Sequence, residues 1–164
     1  MQPLARVPAA LAPLVRLTFL SFEGCHLELE GFSHLRDLAG LRHLDLRQCA
    51  LGTVPEVVSH FTSLTQLDLA FNEWSDLPVT GWEHLAPLVH LASLSMKSCE
   101  LGEVPEELSG LTALSSLSMG GGNTLCWGWE HLAPLGPSLR YLALAIDAEV
   151  AEVPGVLTAL TGLT

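Results

Sequence analysis

Two identical octapeptides carry the residues that could do chemistry. GWEHLAPL occurs at residues 81–88 and again at 128–135, and each copy sets a glutamate directly before a histidine. Such a pair, Glu83 with His84 in the first copy, could transfer a proton or help to hold a metal ion. A metalloprotease helix needs a second histidine at the H-E-x-x-H spacing, and neither copy has one. A catalytic centre need occur only once, so the letter-for-letter recurrence favours a structural unit.

A third, looser copy supports the structural interpretation. GFSHLRDL at 31–38 keeps the glycine, an aromatic residue and the histidine in the same order. We therefore interpret the histidines and glutamates as parts of a repeated packing and capping device, with the aromatic side chain as its apolar anchor. Its members are Phe32 and His34, then Trp82, Glu83 and His84, then Trp129, Glu130 and His131. We predict no catalytic residue, metal ligand or cofactor from this device.

Two other stretches contain residue types used in phosphate binding or nucleophilic catalysis. MGGGN at 119–123 lacks the Lys-Ser/Thr pair of a phosphate-binding loop and the G-x-G-x-x-G order, so we predict a loosened turn with one inserted residue. Ser93, Ser95, Ser116 and Ser118 lie on neighbouring predicted strands, with no partnering histidine and acid evident beside them. We interpret these serines as small polar side chains on an exposed sheet.

Charge and hydropathy argue against two classes of function. The 164 residues carry 7 Lys and Arg against 18 Asp and Glu, a net charge of -11, so clustered cations for a nucleic-acid backbone are lacking. The stretch VPAALAPLVRLTFLSF is interrupted by Arg16 and two prolines, and it falls short of the roughly 20 apolar residues of a membrane span. The same region aligns with GTVPEVVSHFTSLTQLDL, which indicates part of the fold rather than a signal peptide.

These stretches belong to a repeat. Six segments with leucines in one register begin 23 to 27 residues apart. Four of them follow the pattern L-x-x-L-x-L-x-x-N/C-x-L without a gap, although Trp74 takes the last apolar position of the third. The segments start at Leu17, Leu41, Leu64, Leu91, Leu114 and Leu139. This pattern and this period resemble those of the leucine-rich repeat.

The resemblance implies an α/β leucine-rich-repeat solenoid that forms a single domain over residues 1–164. Each L-x-L core alternates apolar and polar residues, as a strand packed on one face does. We expect a curved parallel sheet of six or seven short strands on the concave face, with loops and short helices on the convex face. Neither end shows a polar cap, so we expect a segment of a longer solenoid, or self-association through the open ends.

Two kinds of coil alternate along this solenoid. Val-Pro pairs mark one kind, and the octapeptides with their looser copy mark the other, so the complete unit is a double repeat of 47 to 50 residues. The Val-Pro pairs are 7–8, 54–55, 104–105 and 153–154. We predict that each proline takes the first position of a short helix, where Glu106 and Glu107 suit the helix dipole. Pro87 and Pro134 should limit the helices of the other coils to about one or two turns.

Three of the four cysteines occupy the Asn/Cys position of the pattern. Cys25, Cys49 and Cys99 share this column with Asn72, and a side chain there turns inward and can bond to neighbouring backbone. None belongs to a C-x-x-C pair, so a zinc site or a disulfide framework is a poor interpretation. A bridge between Cys25 and Cys49 on adjacent coils is conceivable but less favoured. Buried free thiols fit better and favour a reducing compartment, and Cys126 lies outside the column.

The outward positions of the six strands differ from coil to coil. They hold four of the chain's seven cations but only three of its 18 acids. Because solenoids commonly bind partners on the concave sheet, and arginine and aromatic side chains anchor protein interfaces, we predict a binding face there. Its candidate residues are Phe19, His43, Arg47, Gln66, Phe71, Lys97 and Tyr141. The alternative is an ordinary solvated sheet.

The predicted function is non-catalytic recognition of a protein or peptide. Similarity to intracellular leucine-rich-repeat proteins, especially the VP-x-x-L-x-x-L-x-x-L type of plants and algae, implies a cytoplasmic scaffold or adaptor. The alternative is the ligand-sensing leucine-rich-repeat portion of a larger receptor or ubiquitin-ligase adaptor, which a kinase, nucleotide-binding or ubiquitin-pathway module in the same gene would reveal. An enzyme would need one unrepeated pocket of converging polar groups, which the sequence does not show. No cofactor, nucleic acid or membrane span is expected.

Overall fold

Each leucine-spaced segment of the sequence forms one short strand. The computed structural model describes residues 6–72, 79–123, 127–144 and 155–164. Within these ranges six strands, β1 to β6, pair in chain order into one open parallel sheet. The strands are Phe19–Ser21, His43–Asp45, Gln66–Asp68, Ser93–Ser95, Ser116–Met119 and Tyr141–Leu144. The predicted repeat solenoid is confirmed, with one strand for each of the six segments.

The sheet buries the face that carries the leucines. Leu44, Leu67, Leu94 and Leu117 lie opposite one another in the strand register, and none is more than 2% exposed. The residues on either side of each of these leucines point to the opposite face of the sheet. Burying a leucine side chain stabilises a fold by about 2 kcal/mol, so the ladder of leucines holds successive coils together.

The helical segments before, between and after the strands are all short 3-10 helices in the described residues. They are Ala9–Leu11, Phe32–Leu35, Glu56–His60, Trp82–Leu85, Glu106–Gly110, Trp129–Leu135 and Gly155–Ala159. The longest contains Pro134 and has seven residues, about two turns at the 3-10 pitch, as predicted. Within one coil the chain has room for one or two turns of 3-10 helix.

Three of the four prolines of the Val-Pro pairs lie one position earlier than predicted, and the fourth, Pro154, lies outside the described residues. Pro8, Pro55 and Pro105 directly precede their helices and have ψ angles of 131° to 136°, which is extended rather than helical backbone. Since the ring fixes φ but not ψ, each proline ends the incoming extended segment instead of starting the helix. Glu106 and Glu107 occupy the first turn of their helix, as predicted.

The glycine of the octapeptide explains why two kinds of coil alternate. Gly81 and Gly128 have φ angles of +79° and +75°, a left-handed conformation that disfavours other residues. A Cβ at Gly81 would lie 2.8 Å from the carbonyl oxygen of Val54, and one at Gly128 would lie 2.5 Å from that of Val104. Each octapeptide coil therefore packs its glycine directly on the backbone of the preceding Val-Pro coil.

The Asn/Cys column satisfies backbone groups buried between coils. The Asn72 side chain accepts hydrogen bonds from the backbone N–H groups of Cys49 and Leu51, at 3.0 and 3.1 Å. Its amide nitrogen donates to the carbonyls of Leu46 and Leu69, at 2.7 and 2.8 Å. One side chain thus bonds four backbone groups in two coils, which confirms the inward, backbone-bonding role predicted for this column.

Asn123 belongs to the same column, although its spacing in the sequence does not predict this. It accepts from the N–H groups of Cys99 and Leu101 and donates to the carbonyls of Met96 and Met119, all within 3.1 Å. The stretch MGGGN has one residue more than the pattern, so alignment by position puts Gly122 in the column instead. The turn there absorbs the extra residue and returns the asparagine to the inward position.

We predict that Asn72→Ala lowers the free energy of unfolding by about 3 kcal/mol, because buried backbone donors and acceptors lose their partner. Urea unfolding followed by circular dichroism measures the loss. The control is Gln66→Ala at an exposed strand position, for which we expect a change of about 0.5 kcal/mol or less. A loss of less than about 1 kcal/mol in Asn72→Ala would show that water replaces the asparagine in the column.

Candidate binding surface

The strand register sets the outward strand residues in rows, and four of the seven candidates, Phe19, His43, Gln66 and Tyr141, share one row. The other three, Arg47, Phe71 and Lys97, lie just after the strands β2, β3 and β4. One row runs across all six strands through Phe19, His43, Gln66, Ser93, Ser116 and Tyr141. A second row runs parallel to it through Ser21, Asp45, Asp68, Ser95, Ser118 and Ala143. We call the seven candidates predicted from the sequence, Phe19, His43, Arg47, Gln66, Phe71, Lys97 and Tyr141, the sheet-face surface.

Aromatic side chains lie at both ends of the first row. Phe19 is 55% exposed, and its ring centroid lies 4.7 Å from that of His43. Tyr141 at the other end is 54% exposed, and Ser93 and Ser116 lie between the two ends. The first row therefore has large side chains at its ends and two small serine side chains between them, so the sheet is less covered by side chains at the serines.

Phe71 is exposed in a conformation that disfavours a bulky residue. It has a φ of +60° and is 46% exposed. The same position in the neighbouring coils is also left-handed, and two of these positions hold glycine. The left-handed residues of this column are Gly24, Gln48, Phe71, Ser98 and Gly121. A phenylalanine there is strained and gains little burial, which points to a use outside the fold.

Lys97 and Phe71 are neighbours at the carboxyl ends of β3 and β4. The backbone N–H of Phe71 donates to the carbonyl of Lys97 at 2.7 Å. The Lys97 side chain is half-buried, whereas Gln66 in the first row is exposed. A cation, an amide and an exposed aromatic ring therefore occupy adjacent coils in the middle of the sheet-face surface.

Arg47 is engaged with carboxylates of its own and neighbouring coils. Its guanidinium binds Asp45 at 2.8 Å and Glu23 at 3.0 Å, and it lies 3.6 Å from Asp68. One cation among three carboxylates gives this cluster a net charge of -2. The sequence predicted a face of mixed charge, and at this end of the sheet the local charge is negative.

Arg47 keeps Asp45 ionised in a buried position. Asp45 is 5% exposed, and burial by itself raises the pKa of a carboxyl. Hydrogen bonds from the Arg47 side chain and backbone, the arginine's charge and a hydrogen bond from Ser21 outweigh that effect, so the pKa of Asp45 lies below its usual value. The role of Arg47 within this chain is thus to hold the carboxylates of the cluster in place.

The residues of the octapeptide device lie apart from this surface. Phe32 and Trp129 are buried, and the half-buried Trp82 donates its indole N–H to the Val79 carbonyl at 2.9 Å, as expected of apolar anchors. His84 and Glu83 lie 3.9 Å apart. In the described part of the chain no three His, Cys, Asp or Glu side chains are grouped as a metal site. No helix in those residues is long and apolar enough to cross a membrane.

Two of the three cysteines of the column, Cys49 and Cys99, are buried free thiols that bond to backbone, whereas Cys25 is half-buried. The Cys49 thiol donates to the Phe22 carbonyl at 3.0 Å, and that of Cys99 donates to Leu69 at 3.2 Å. Burial raises the pKa of Cys49 to about 12, so its thiol stays protonated near neutral pH. No disulfide joins the described cysteines, which are Cys25, Cys49 and Cys99. Cys126 lies outside the described residues.

Solved structures with the same fold are leucine-rich-repeat proteins. An internalin (inlF) of Listeria monocytogenes matches 93% of this chain over 48% of its own, with 18% identity and a TM-score of 0.72. A leucine-rich-repeat protein of Leptospira interrogans matches 99% of this chain over 45% of its own, with 18% identity and a TM-score of 0.66. The internalin C2 (inlC2) of Listeria monocytogenes matches 98% of this chain over 74% of its own, with 20% identity and a TM-score of 0.60.

The chain therefore has the leucine-rich-repeat fold, as its sequence pattern predicted. It spans about half the length of the first two of these structures. A scan against protein-family models gives no match, and a search of curated proteins gives none either. At identities of 18 to 20% the likeness concerns the fold alone.

We predict that native-state alkylation with iodoacetamide near neutral pH leaves Cys49 and Cys99 unmodified. Both thiols are fully buried, and only the thiolate reacts. The half-buried Cys25 serves as the internal reference. Peptide mass spectrometry before and after unfolding measures all three sites. Modification of Cys49 as fast as that of Cys25 would contradict the packing of the column.

We predict that Arg47→Met unfolds at a higher pH than the wild type during acid titration. The folded pKa of Asp45 is lowered, so its stabilising effect is present above the unfolded pKa of about 3.9 and is lost as the pH falls through the folded pKa. Without Arg47, burial raises the pKa of Asp45. The folded state then begins to lose stability at a higher pH as the solution is acidified. Circular dichroism against pH measures the midpoint, with Arg16→Met at an exposed position as control. Equal midpoints in wild type and Arg47→Met would refute the role of Arg47.

Proposed function

From the leucine-rich-repeat fold we propose that this chain is a non-catalytic protein–protein interaction module, a scaffold or adaptor, that holds a protein or peptide on the sheet-face surface. The observation that carries the proposal is the exposure of Phe19, Phe71 and Tyr141, which are 46 to 55% exposed. Their neighbours across the strands or in the same column are of other types, whereas the buried leucines repeat in every coil. Large exposed apolar side chains at unrepeated positions are typical of a binding face.

Each part of the surface has a distinct role in the proposed complex. The aromatic rings are anchors that a partner covers, and the serines between them let an extended backbone come close to the sheet. Gln66 and Lys97 offer a hydrogen-bonding amide and a cation in the middle. The carboxylates held by Arg47 attract a positively charged group of the partner at the Phe19 end. This combination favours an extended peptide or loop that carries apolar side chains and at least one cation.

The proposed compartment is reducing, such as the cytoplasm. The support for it is that buried Cys49 and Cys99 donate hydrogen bonds to carbonyls as thiols. Free buried thiols persist most readily where glutathione and thioredoxin keep cysteines reduced.

A second candidate function is the ligand-sensing portion of a larger receptor or ubiquitin-ligase adaptor, as a segment of a longer solenoid. The observation that favours it is that this chain spans 48% and 45% of two structures with the same fold. Sequencing the complete reading frame tests it. A kinase, nucleotide-binding or ubiquitin-pathway module in the same polypeptide supports this function, and a reading frame that encodes repeats alone contradicts it.

We predict that peptides selected from a displayed random library against the whole chain bind the sheet-face surface. The variant Phe19→Ser/Tyr141→Ser should weaken their binding by about tenfold or more, because both anchors are lost. The matched control is Val15→Ser/Val89→Ser, which removes two equally exposed apolar side chains, 53% and 52%, outside the strands. Fluorescence anisotropy measures the affinities. Peptides that bind both variants alike would rule out recognition by this face.

A further inference from the structure

A second surface lies where the turns after the strands run into the 3-10 helices. A groove of about 860 Å³ opens there between the segments 79–83 and 101–107, and Trp127 and His131 of the next coil complete it. Trp127 is 72% exposed, more than any other large hydrophobic side chain in the described ranges. The groove contains no residue of the sheet-face surface, so it is a separate place for a partner.

The double repeat supplies an equivalent groove for comparison. One unit earlier along the chain, a groove of about 450 Å³ has the same position relative to the Val-Pro pair at 54–55. In both grooves a parallel bridge joins the Val-Pro coil to the octapeptide coil that follows it. The bridge pairs Thr53 of the earlier groove with Thr80, and it pairs Glu103 with Trp127 in the later one. The backbone is therefore alike in the two grooves, and the side chains are not.

Compared with the earlier groove, the later groove is more acidic and has more tryptophan. Three small or apolar side chains of the earlier groove become glutamates in the later one, and a phenylalanine becomes a tryptophan. The second tryptophan, Trp127, has the sequence position of Thr80, which lines the later groove and not the earlier one. The equivalent pairs are Ser33 and Glu83, Thr53 and Glu103, Val57 and Glu107, Phe32 and Trp82, and Thr80 and Trp127. With Glu106, four carboxylates line the later groove, whereas one glutamate and one arginine, Glu56 and Arg36, line the earlier one.

An exposed indole beside several carboxylates fits a cationic side chain. The face of a tryptophan attracts an ammonium or guanidinium group more strongly than any other aromatic ring. Glu103 is the bridge partner of Trp127, so a carboxylate and the indole lie side by side on adjacent coils. Carboxylates around the rim of an interface steer a partner of opposite charge and select against acidic segments.

We propose that this groove docks a basic segment of a partner protein, with a lysine or arginine side chain on Trp127 and its charge facing the glutamates. The fold does not need these side chains, because the equivalent groove is built without them. The proposal does not depend on binding at the sheet-face surface. The two surfaces can hold two partners, or two segments of one partner, at the same time.

A short fluorescent peptide of alternating lysine and glycine tests the proposal on the whole chain. The groove variants take their residues from the equivalent positions one unit earlier: Trp127→Thr, and the triple variant Glu83→Ser/Glu103→Thr/Glu107→Val. The control variant Glu28→Gln/Glu30→Gln/Asp37→Asn removes three exposed acids elsewhere, so both triple variants carry the same net charge. Circular dichroism checks that each variant is folded, and the single variant Glu103→Thr replaces the triple if the latter unfolds.

The expected result is that both groove variants weaken peptide binding by about tenfold or more, while the control triple changes it by no more than about twofold. Added salt should weaken binding to the wild type. Equal losses in the two triple variants would show attraction to the overall negative charge and overturn the proposal. So would a wild type that does not bind the peptide, or one that binds a glutamate-glycine peptide equally well.

Discussion

The turn after each strand is the constraint on which this structure depends. Strands of three or four residues end in a turn, and backbone N–H and C=O groups of the turns between coils make buried hydrogen bonds to column side chains. An unpaired buried backbone group costs about 1–3 kcal/mol, so the turns need an internal partner. Asn72 bonds four backbone groups and Asn123 bonds five. The thiols of Cys49 and Cys99 in the same column each donate to a carbonyl of their own coil and to one of a neighbouring coil.

This internal bonding separates the residues that hold the fold from those that face a partner. The inward columns of leucine, asparagine and cysteine must recur, since each coil presents the same buried groups to the next. The outward strand positions and the segments beside the Val-Pro pairs have no such constraint. These residues vary between coils. Four of them are exposed aromatic residues: Phe19, Phe71, Tyr141 and Trp127.

The sequence predicted the fold well because the fold is a local pattern repeated. Leucine spacing placed the strands, and the Asn/Cys column was recognised wherever no residue was inserted. Asn123 was missed because one extra residue shifts the alignment while the turn restores the side chain's position. The ion pairs of Arg47 were not predicted, because Glu23 and Asp68 come from neighbouring coils and meet the arginine only when the coils stack. The later groove, with its four glutamates, was not predicted for the same reason. Its tryptophans, Trp82 and Trp127, lie on two different coils and come together only when the coils stack.

The central claim is that unrepeated outward residues serve binding and repeated inward residues serve the fold. The variant Phe71→Gly tests this claim most directly. Its free energy of unfolding is measured together with its affinity for the library-selected peptides that bind the sheet-face surface. Glycine already occupies this left-handed position at Gly24 and Gly121. We expect an unfolding free energy that is unchanged or higher, together with affinity weakened by about tenfold. Unchanged affinity, or a stability loss of more than about 1 kcal/mol, would contradict the claim, because Phe71 would then serve the fold.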